Sequence, residues 1–170
     1  MKRFGLGFLL GLATPALLGY FFVAQGGMPV AVKDRPLPFE RFIARASLHA
    51  AFREALALSP PFKVNEAHLV EGAKTYRNNC LVCHGIESQS PTFIAQGLFP
   101  RPPQLFQPNG GVTDDPIGET YWKVKNGIRL TGMPGFEGNL SEENMWDVSL
   151  LLKEAGKLSE RVKTTLMSNF

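Results

Sequence analysis

The feature that most constrains this chain is a Cys-x-x-Cys-His motif formed by Cys80, Cys83 and His84. This pattern is typical of c-type haem attachment, because two thiols a few residues apart can add to the two vinyl groups of one haem while the next imidazole reaches the iron. Zinc sites and dithiol redox sites also use Cys-x-x-Cys. The motif holds the only two cysteines, the other histidines (His49 and His68) are not paired, and no βαβ pattern surrounds the motif. Haem is therefore favoured over zinc and over a redox dithiol.

The N-terminal segment predicts a membrane anchor. Lys2 and Arg3 precede an apolar run from Phe4 to Ala24, and about 20 apolar residues are enough to cross a bilayer core of about 30 Å. A cleaved signal peptide is the alternative, but its apolar region is usually only about 7–15 residues long. The end of the run also lacks small residues at both positions that a signal peptidase needs. With the basic pair inside, the haem is expected on the periplasmic or outer side of a bacterial cytoplasmic membrane.

The composition along the chain divides it into four segments. We assign residues 1–25 to the anchor, 26–63 to a linker and an amphipathic helix, 64–156 to the haem domain and 157–170 to a C-terminal tail. In the second segment, apolar and basic residues recur at helical spacing over residues 39–58, which predicts the amphipathic helix. The remaining length is enough for one small domain, in which a buried haem would supply much of the core.

Charge is distributed unevenly between the linker region and the haem domain. Residues 33–63 carry six basic and three acidic residues, a net charge of +3, whereas residues 64–170 carry ten basic and twelve acidic residues, a net charge of −2. The basic excess could meet anionic lipid head groups or a partner complex, or it could be an ordinary solvated surface. The haem domain has no basic stripe, so nucleic acid is not expected as a partner.

The spacing of apolar residues predicts an all-α haem domain, since few runs alternate with a period of two. A first helix leads up to Cys80, with Asn65 as its N-cap. A second helix is predicted to have Asp115 as its cap and Pro116 as its first residue. A last helix follows Ser141 as its cap and ends near residue 155.

Gly72 lies in the middle of the first of these helices, where glycine destabilises a helix by about 1 kcal/mol relative to alanine. Such a glycine often marks the close approach of another element. The last helix is the expected partner, and its inner face is predicted to consist of Met145, Val148, Leu151 and Leu152.

The iron needs a sixth ligand opposite His84, or else an open site. Met133 is the favoured ligand, because it lies in the loop Gly132–Phe136, whose Pro and Gly residues hold the backbone extended and tightly turned. Ordinary packing is the commoner fate of a methionine. Met145, on a predicted helix face, is assigned to the core, and Met1, Met28 and Met167 are too close to the ends of the chain.

The two remaining histidines have weaker claims. His68 could make a bis-histidine site, but it lies among polar residues on the helix before Cys80 and is expected to be exposed. His49 is expected to be an ordinary helix-face histidine, with a role at a partner interface as the alternative.

The haem domain resembles a class I c-type cytochrome over residues 64–156. The residues that carry the resemblance are Gly72, Tyr76, Cys80, Cys83, His84, Met133 and Trp146. The resemblance implies a compact helical fold whose first and last helices cross near Gly72 and Tyr76. It also implies one haem c attached through Cys80 and Cys83, low-spin iron with His84 and Met133 as ligands, and one-electron transfer.

The segment between the haem motif and the methionine loop carries further expectations. In such cytochromes a proline carbonyl often bonds the ligand histidine, and Pro102 or Pro103 is expected to do so here. Arg101 is expected to pair with a haem propionate. The alternative is that this Pro-rich run is a stiff surface loop. The apolar residues expected around the haem are Phe93, Leu98, Leu105, Ile128 and Phe136.

The predicted function is that of a membrane-anchored single-haem c-type cytochrome that transfers single electrons between respiratory partners. The Pro-rich form departs from mitochondrial-type cytochromes and more closely resembles bacterial single-haem subunits of respiratory complexes, so we expect the membrane and redox subunits as partners. No small-molecule substrate and no catalysis by the chain itself are expected. A haem sensor or enzyme with an open sixth site is the alternative, and a purely structural membrane-tethered subunit is a third reading.

Overall fold

The computed structural model describes residues 2–87, 89–107 and 111–168, without the side chains of residues 2–6 and 9. The chain divides into two compact units, one up to Ala44 and the other from Arg45 onwards. Met1, the last two residues of the predicted tail, and the side chains of the basic pair at positions 2 and 3 lie outside this description.

Within the described residues the secondary structure is helical, and the only β-type pairing is an isolated bridge between Glu137 and Leu140. The predicted all-α class is therefore confirmed. The α-helices are α1 (Lys2–Ala24), α2 (Glu40–Ala51), α3 (Glu66–Asn79), α4 (Leu81–His84), α5 (Phe93–Gln96), α6 (Ile117–Asn126), α7 (Glu142–Lys153) and α8 (Glu160–Met167). Two 3-10 helices cover Arg53–Ala57 and Ala155–Lys157.

The predicted N-terminal helix forms as α1, and Pro15 lies inside it. Among the residues whose side chains are described, however, no helix combines the length and the apolar character needed to cross a membrane. The transmembrane character predicted for this helix is therefore not confirmed.

The spacing predicted one amphipathic helix over residues 39–58, but the structure divides this segment into two helices. The α-helix ends at Ala51, and a 3-10 helix follows from Arg53. Phe52 and Ala55 are buried, and the Phe52 ring contacts the ring of Trp122 on α6, with centroids 6.3 Å apart. By contrast, α2 buries none of its residues. The part of this segment that packs is thus the part where the α-helical pattern breaks.

The crossing of α3 and α7 forms as predicted. Asn65 caps α3 by accepting a hydrogen bond from the His68 backbone N–H at 3.2 Å. A Cβ at Gly72 would overlap the backbone carbonyl of Asp147 on α7. The two helices therefore approach so closely at this point that only a hydrogen atom fits between their backbones.

The starts of the two later helices agree with the sequence to within one residue. Ser141 caps α7 by accepting from the Asn144 N–H at 3.1 Å. At the start of α6, however, Pro116 is the cap rather than the first helical residue, because its backbone is extended, with ψ of 130°. Asp115 therefore does not cap this helix.

The second unit reaches beyond the predicted haem domain at both ends. The segment around Phe52 packs on α6, and α8 packs on α3. Leu158, Val162 and Leu166 are buried in the same apolar core as α3 and α7. The C-terminal residues thus complete the core, because the outer face of α3 would otherwise be uncovered.

Candidate functional site

An open cavity lies between the haem motif, the loop after α5, the loop after α6, and α7. It encloses about 790 Å³, including the part open to solvent. All six predicted site residues line it, namely Cys80, Cys83, His84, Arg101, Pro103 and Met133. The structure therefore brings together groups that are up to 53 positions apart (133 − 80 = 53) in the chain.

The haem motif begins at Cys80, the residue that joins α3 to α4, and continues through α4. The Cys80 N–H donates to the Tyr76 carbonyl at 2.8 Å, and the His84 N–H donates to the Cys80 carbonyl at 2.9 Å. Helical winding thus continues through the motif with a break in direction at Cys80. The thiols of Cys80 and Cys83 are free, and both side chains border the cavity together with the imidazole of His84.

The His84 ring is held in a single orientation by the Pro-rich loop. Its Nδ1 lies 2.8 Å from the Pro103 carbonyl oxygen. A carbonyl only accepts hydrogen bonds, so Nδ1 carries the proton and Nε2 keeps its lone pair. Burial lowers the pKa of His84, and the bond to Pro103 acts in the opposite direction. The contact predicted between His84 and a proline carbonyl is present, and it leaves Nε2 as the free ligand atom.

The side chain of Cys80 is half-buried. Burial, with a smaller contribution from the nearby Cys83, raises the pKa of Cys80 to about 12. Reactive dithiols depend on a thiolate with a lowered pKa. This environment therefore disfavours a redox dithiol in which Cys80 is the attacking thiolate.

The methionine loop closes on itself and on the end of α6. The Thr131 hydroxyl donates to the Ile128 carbonyl at 2.6 Å and accepts from the Met133 N–H at 3.1 Å. The Ile128 N–H donates to the Met133 carbonyl at 3.1 Å, and the Phe136 N–H donates to the Val124 carbonyl at 3.1 Å. These bonds fix the backbone of Met133 at the wall of the cavity without a helix behind it.

The chemistry of the cavity fits a covalently bound haem. It offers two thiols, an imidazole with a free Nε2, a thioether and one guanidinium, while the remaining wall is largely apolar. That wall includes Leu98, Leu105, Val124, Ile128, Phe136, Val148 and Leu152. This set of groups matches a flat apolar macrocycle that carries two vinyl groups and has propionates at one edge.

Comparison with known families agrees with this chemistry. Residues 67–150 match the family described as cytochrome C oxidase, cbb3-type, subunit III. This segment is a c-type cytochrome domain. The match runs from the first turn of α3 to within α7 and includes the haem motif and Met133. The predicted resemblance is thereby confirmed, and the family implies covalently bound haem c. No curated protein matches the chain.

The cytochrome domain also uses residues that sequence reasoning missed. The Gln104 amide donates to the Ile86 carbonyl at 2.9 Å, and the Thr92 hydroxyl donates to the Val82 carbonyl at 2.6 Å. The Thr92 bond ties the loop that follows the motif back onto it, and the Gln104 bond holds the residues just after the motif against the Pro-rich run. Thr92 could have been found, because it directly precedes a short apolar helix and Thr is a preferred N-cap. Nothing local to Gln104 indicates its partner.

For one of the five apolar residues predicted around the haem, the prediction is wrong. Phe93 is 84% exposed and does not line the cavity. It begins α5, a helix of four residues whose buried member is Ala95, so the ring of Phe93 faces solvent. The four predicted residues that do line the cavity are Leu98, Leu105, Ile128 and Phe136.

The prediction that His68 is exposed is also wrong. Only 16% of its side chain is exposed; Nδ1 lies 2.8 Å from the Asp147 carboxylate on α7, and the ring stacks on Phe62 with centroids 4.1 Å apart. His68 does not line the cavity. Burial raises the pKa of Asp147, and His68 partly offsets that rise.

His49 is exposed, and its ring contacts that of Phe52, with centroids 5.2 Å apart.

Proposed function

We propose that this chain is a single-haem electron carrier that passes one electron at a time between redox proteins. One haem c would be attached through Cys80 and Cys83, His84 and Met133 would ligate its iron, and Arg101 would pair with a propionate. The observation that carries the proposal is the convergence of the thiols, the imidazole and the thioether on one apolar cavity. When bound, the haem supplies the Fe(II)/Fe(III) couple.

The residues around the site hold the two ligands still. Pro103 fixes the tautomer and the orientation of His84, which is the role of a group behind a metal-bound histidine. Thr131 and Ile128 fix the backbone that presents Met133. A thioether and an imidazole together as ligands would favour the reduced state and raise the reduction potential relative to two histidines. Two ligands on rigid backbone need little rearrangement when the charge of the site changes.

The partners we propose are other redox subunits of a respiratory complex. The support is the family match, whose description names a subunit of a cbb3-type oxidase. Membrane attachment through α1 is part of the same proposal and is supported by the apolar run behind Lys2 and Arg3. Cell fractionation tests it: the full chain is expected in salt-washed membranes and a chain lacking residues 2–24 in the soluble fraction. A full chain that is soluble would contradict the attachment.

The ligand assignment is tested on the purified haem-loaded protein with Met133→Ala. We expect the wild type to show a low-spin spectrum, the long-wavelength charge-transfer absorption of thioether-ligated ferric haem, and no spectral shift with carbon monoxide. Met133→Ala should lose that absorption, bind carbon monoxide and show a lower reduction potential. Met167→Ala is the matched control, because Met167 is exposed on α8 and does not line the cavity.

Two results would contradict the proposal. A Met133→Ala spectrum identical to that of the wild type would show that Met133 is not a ligand. A high-spin wild-type spectrum with rapid carbon monoxide binding would favour a haem sensor or enzyme instead of an electron carrier.

A further inference from the structure

Six apolar side chains are exposed in the short stretch of chain that follows α1. All six lie in the first compact unit, and the helix that carries the last two of them, α2, buries none of its residues. Single exposed apolar residues are common, but several in one segment indicate a contact surface. We call residues 28–44 the junction segment. Its exposed apolar residues are Met28, Val30, Val32, Phe39, Phe42 and Ile43.

Three of these side chains share one face at the start of α2. Phe42 and Ile43 follow Phe39 by three and four positions, the spacing that places residues on the same side of a helix. Helical winding already begins at Phe39, because the Ile43 N–H donates to its carbonyl at 2.9 Å. Arg41 follows Phe39 by two positions and therefore lies on the other side of the helix. The start of α2 thus has an apolar face and a basic one, both exposed.

The backbone of Phe39 is held in an unfavourable conformation. Its φ of +64° is in the left-handed region, where a bulky residue is rare, and such strain points to a function. Two hydrogen bonds close this turn: the Glu40 N–H donates to the Leu37 carbonyl at 3.1 Å, and the Leu37 N–H donates to the Glu40 carboxylate at 2.8 Å. The Phe39 side chain is 77% exposed, so burial within the described residues does not compensate for the strain.

The acidic and basic residues of the junction segment are used differently. The Asp34 carboxylate accepts hydrogen bonds from two backbone N–H groups at 2.9 and 3.1 Å, and the Glu40 carboxylate accepts one from the turn before α2. The basic residues are Lys33, Arg35 and Arg41, and all three are exposed. None of them has an ion-pair partner among the described residues. The segment therefore offers unpaired cations beside its exposed apolar side chains.

We infer that the junction segment binds the surface of an anionic phospholipid membrane. This inference goes beyond electron transfer and rests on the membrane attachment proposed for α1. A helix with aromatic and aliphatic residues on one face and basic residues on the other is typical of elements that lie in the membrane interface. The face formed by Phe39, Phe42 and Ile43 would enter the boundary between head groups and acyl chains. The basic residues would reach the lipid phosphates.

The position of the segment in the chain favours a lipid surface over a second protein. Met28 follows Ala24, the last residue of α1, by four positions (28 − 24 = 4), and four residues span at most about 14 Å. With α1 in the bilayer, the junction segment begins within this distance of the point where the chain leaves the helix. Its apolar side chains then reach lipid without the help of another protein.

The test measures amide hydrogen exchange in the first turns of α2, using the full-length haem-loaded protein. The protein is reconstituted into vesicles of phosphatidylcholine alone and into vesicles that also contain phosphatidylglycerol. A helix that buries no side chain opens readily, so its amides exchange fast, whereas contact with lipid would protect them. We expect exchange to be about tenfold slower in the vesicles with phosphatidylglycerol, equivalent to about 1.4 kcal/mol. Added salt should weaken this protection.

Each variant is compared with itself in the two kinds of vesicle, so that differences in intrinsic exchange rate cancel. Phe42→Gln combined with Ile43→Gln removes two apolar side chains and introduces a good helix former. Arg35→Gln combined with Arg41→Gln removes two charges. Both double variants should lose most of the difference between the vesicles. Met167→Gln is the matched control, because it removes an exposed apolar side chain on α8 and should leave the difference unchanged.

Flotation of the vesicles separates this inference from the attachment through α1. If the chain floats with both kinds of vesicle and α2 exchanges at the same rate in both, the lipid contact of the junction segment is overturned and the attachment through α1 stands. If the chain floats with neither, both are overturned. If it floats only with the vesicles that contain phosphatidylglycerol and α2 is protected there, the lipid contact is supported and the attachment through α1 is overturned. Protection that grows with the ratio of protein to lipid would mean that a second copy of the chain covers the apolar face, and it would overturn the lipid contact.

Discussion

The helices of the two units use their apolar residues in opposite ways. In α7 of the second unit, every residue from Met145 to Leu152 is buried, whereas the described side chains of α1 in the first unit are all exposed. Apolar content alone therefore does not distinguish them. Most helix stability in proteins comes from the packing of one face against a partner, so substitutions in the second unit should change its free energy of unfolding and matched ones in α1 should not.

The largest difference is expected between two helical glycines. Gly72→Ala forces a methyl group against the Asp147 carbonyl and should lower the free energy of unfolding by about 3 kcal/mol. Gly11→Ala in α1 places its Cβ where no other atom lies within 4 Å, so it should leave that free energy unchanged. Denaturant unfolding followed by tryptophan fluorescence measures both, because Trp122 and Trp146 lie in the second unit.

An equal response from the two glycine variants would break the comparison. A loss of stability in Gly11→Ala would mean that α1 contributes to the fold of the second unit. Full stability in Gly72→Ala would mean that α3 and α7 can separate at their crossing without cost.

A smaller difference is expected between two valines. Val162 on α8 is fully buried, whereas Val23 on α1 is largely exposed. Val162→Ala should lower the free energy of unfolding by about 2 kcal/mol, through lost burial and a residual cavity, and Val23→Ala should change it by less than about 0.5 kcal/mol. The same fluorescence experiment compares them. A neutral Val162→Ala would show that α8 does not belong to the cooperative core.

Most of the features that the sequence predicted correctly are local in origin; the crossing of α3 and α7 was predictable because a glycine inside a helix is itself a local sign of close approach. Asn65 and Ser141 cap helices because their own side chains reach backbone N–H groups three residues ahead. Phe52 and Val162 escaped prediction because their burial depends on α6 and α3, which are far from them in sequence. His68 was misjudged for the same reason: its neighbours in sequence are polar, but its partner, Asp147, is 79 positions away.

In the site, too, the features set by local sequence were predicted and those set by tertiary contacts were missed. The residues of the motif Cys80–His84 are contiguous, so the sequence alone shows their spacing. The run of prolines that supplies Pro103 can also be recognised in the sequence. Phe93 was misplaced because its hydrophobicity predicted burial, while the length of α5 leaves room for only one buried residue. Hydrophobicity predicts which residues can be buried, and only the tertiary contacts decide which of them are.

The pH dependence of stability should distinguish the buried carboxyl of Asp147 from an exposed one. Burial raises the pKa of Asp147 above its usual 3.8, His68 opposes the rise, and Glu143 and Glu71 add to it. The folded state therefore holds this proton more tightly than the unfolded chain does. The stabilisation that the protonated Asp147 carboxyl contributes is fully present below the unfolded-state pKa. It is lost as the pH rises through the folded-state pKa.

We expect Asp147→Asn to remove that part of the pH dependence. Urea unfolding at a series of pH values from about 3 upwards should show a smaller decline of the unfolding free energy with rising pH in the variant than in the wild type. Glu160→Gln, at an exposed position on α8, is the control and should follow the wild-type curve. Parallel curves for Asp147→Asn and wild type would mean that Asp147 titrates alike in the folded and unfolded states.

The smallest expected effect comes from the largest change, the removal of residues 2–24. Every described side chain in this helix is exposed, so we expect the deletion to leave the core of the second unit unchanged. Because apolar area removed from water is the main source of stability, the fluorescence-detected unfolding free energy should shift by less than about 0.5 kcal/mol.

The measurement is made in the same detergent for both chains, so that the exposed helix does not aggregate. A chain ending after Lys157 is the matched control: it also loses a terminal helix, but it removes the buried Leu158, Val162 and Leu166 and should be strongly destabilised. If both truncations had the same effect, exposure within the chain would not predict where its stability lies.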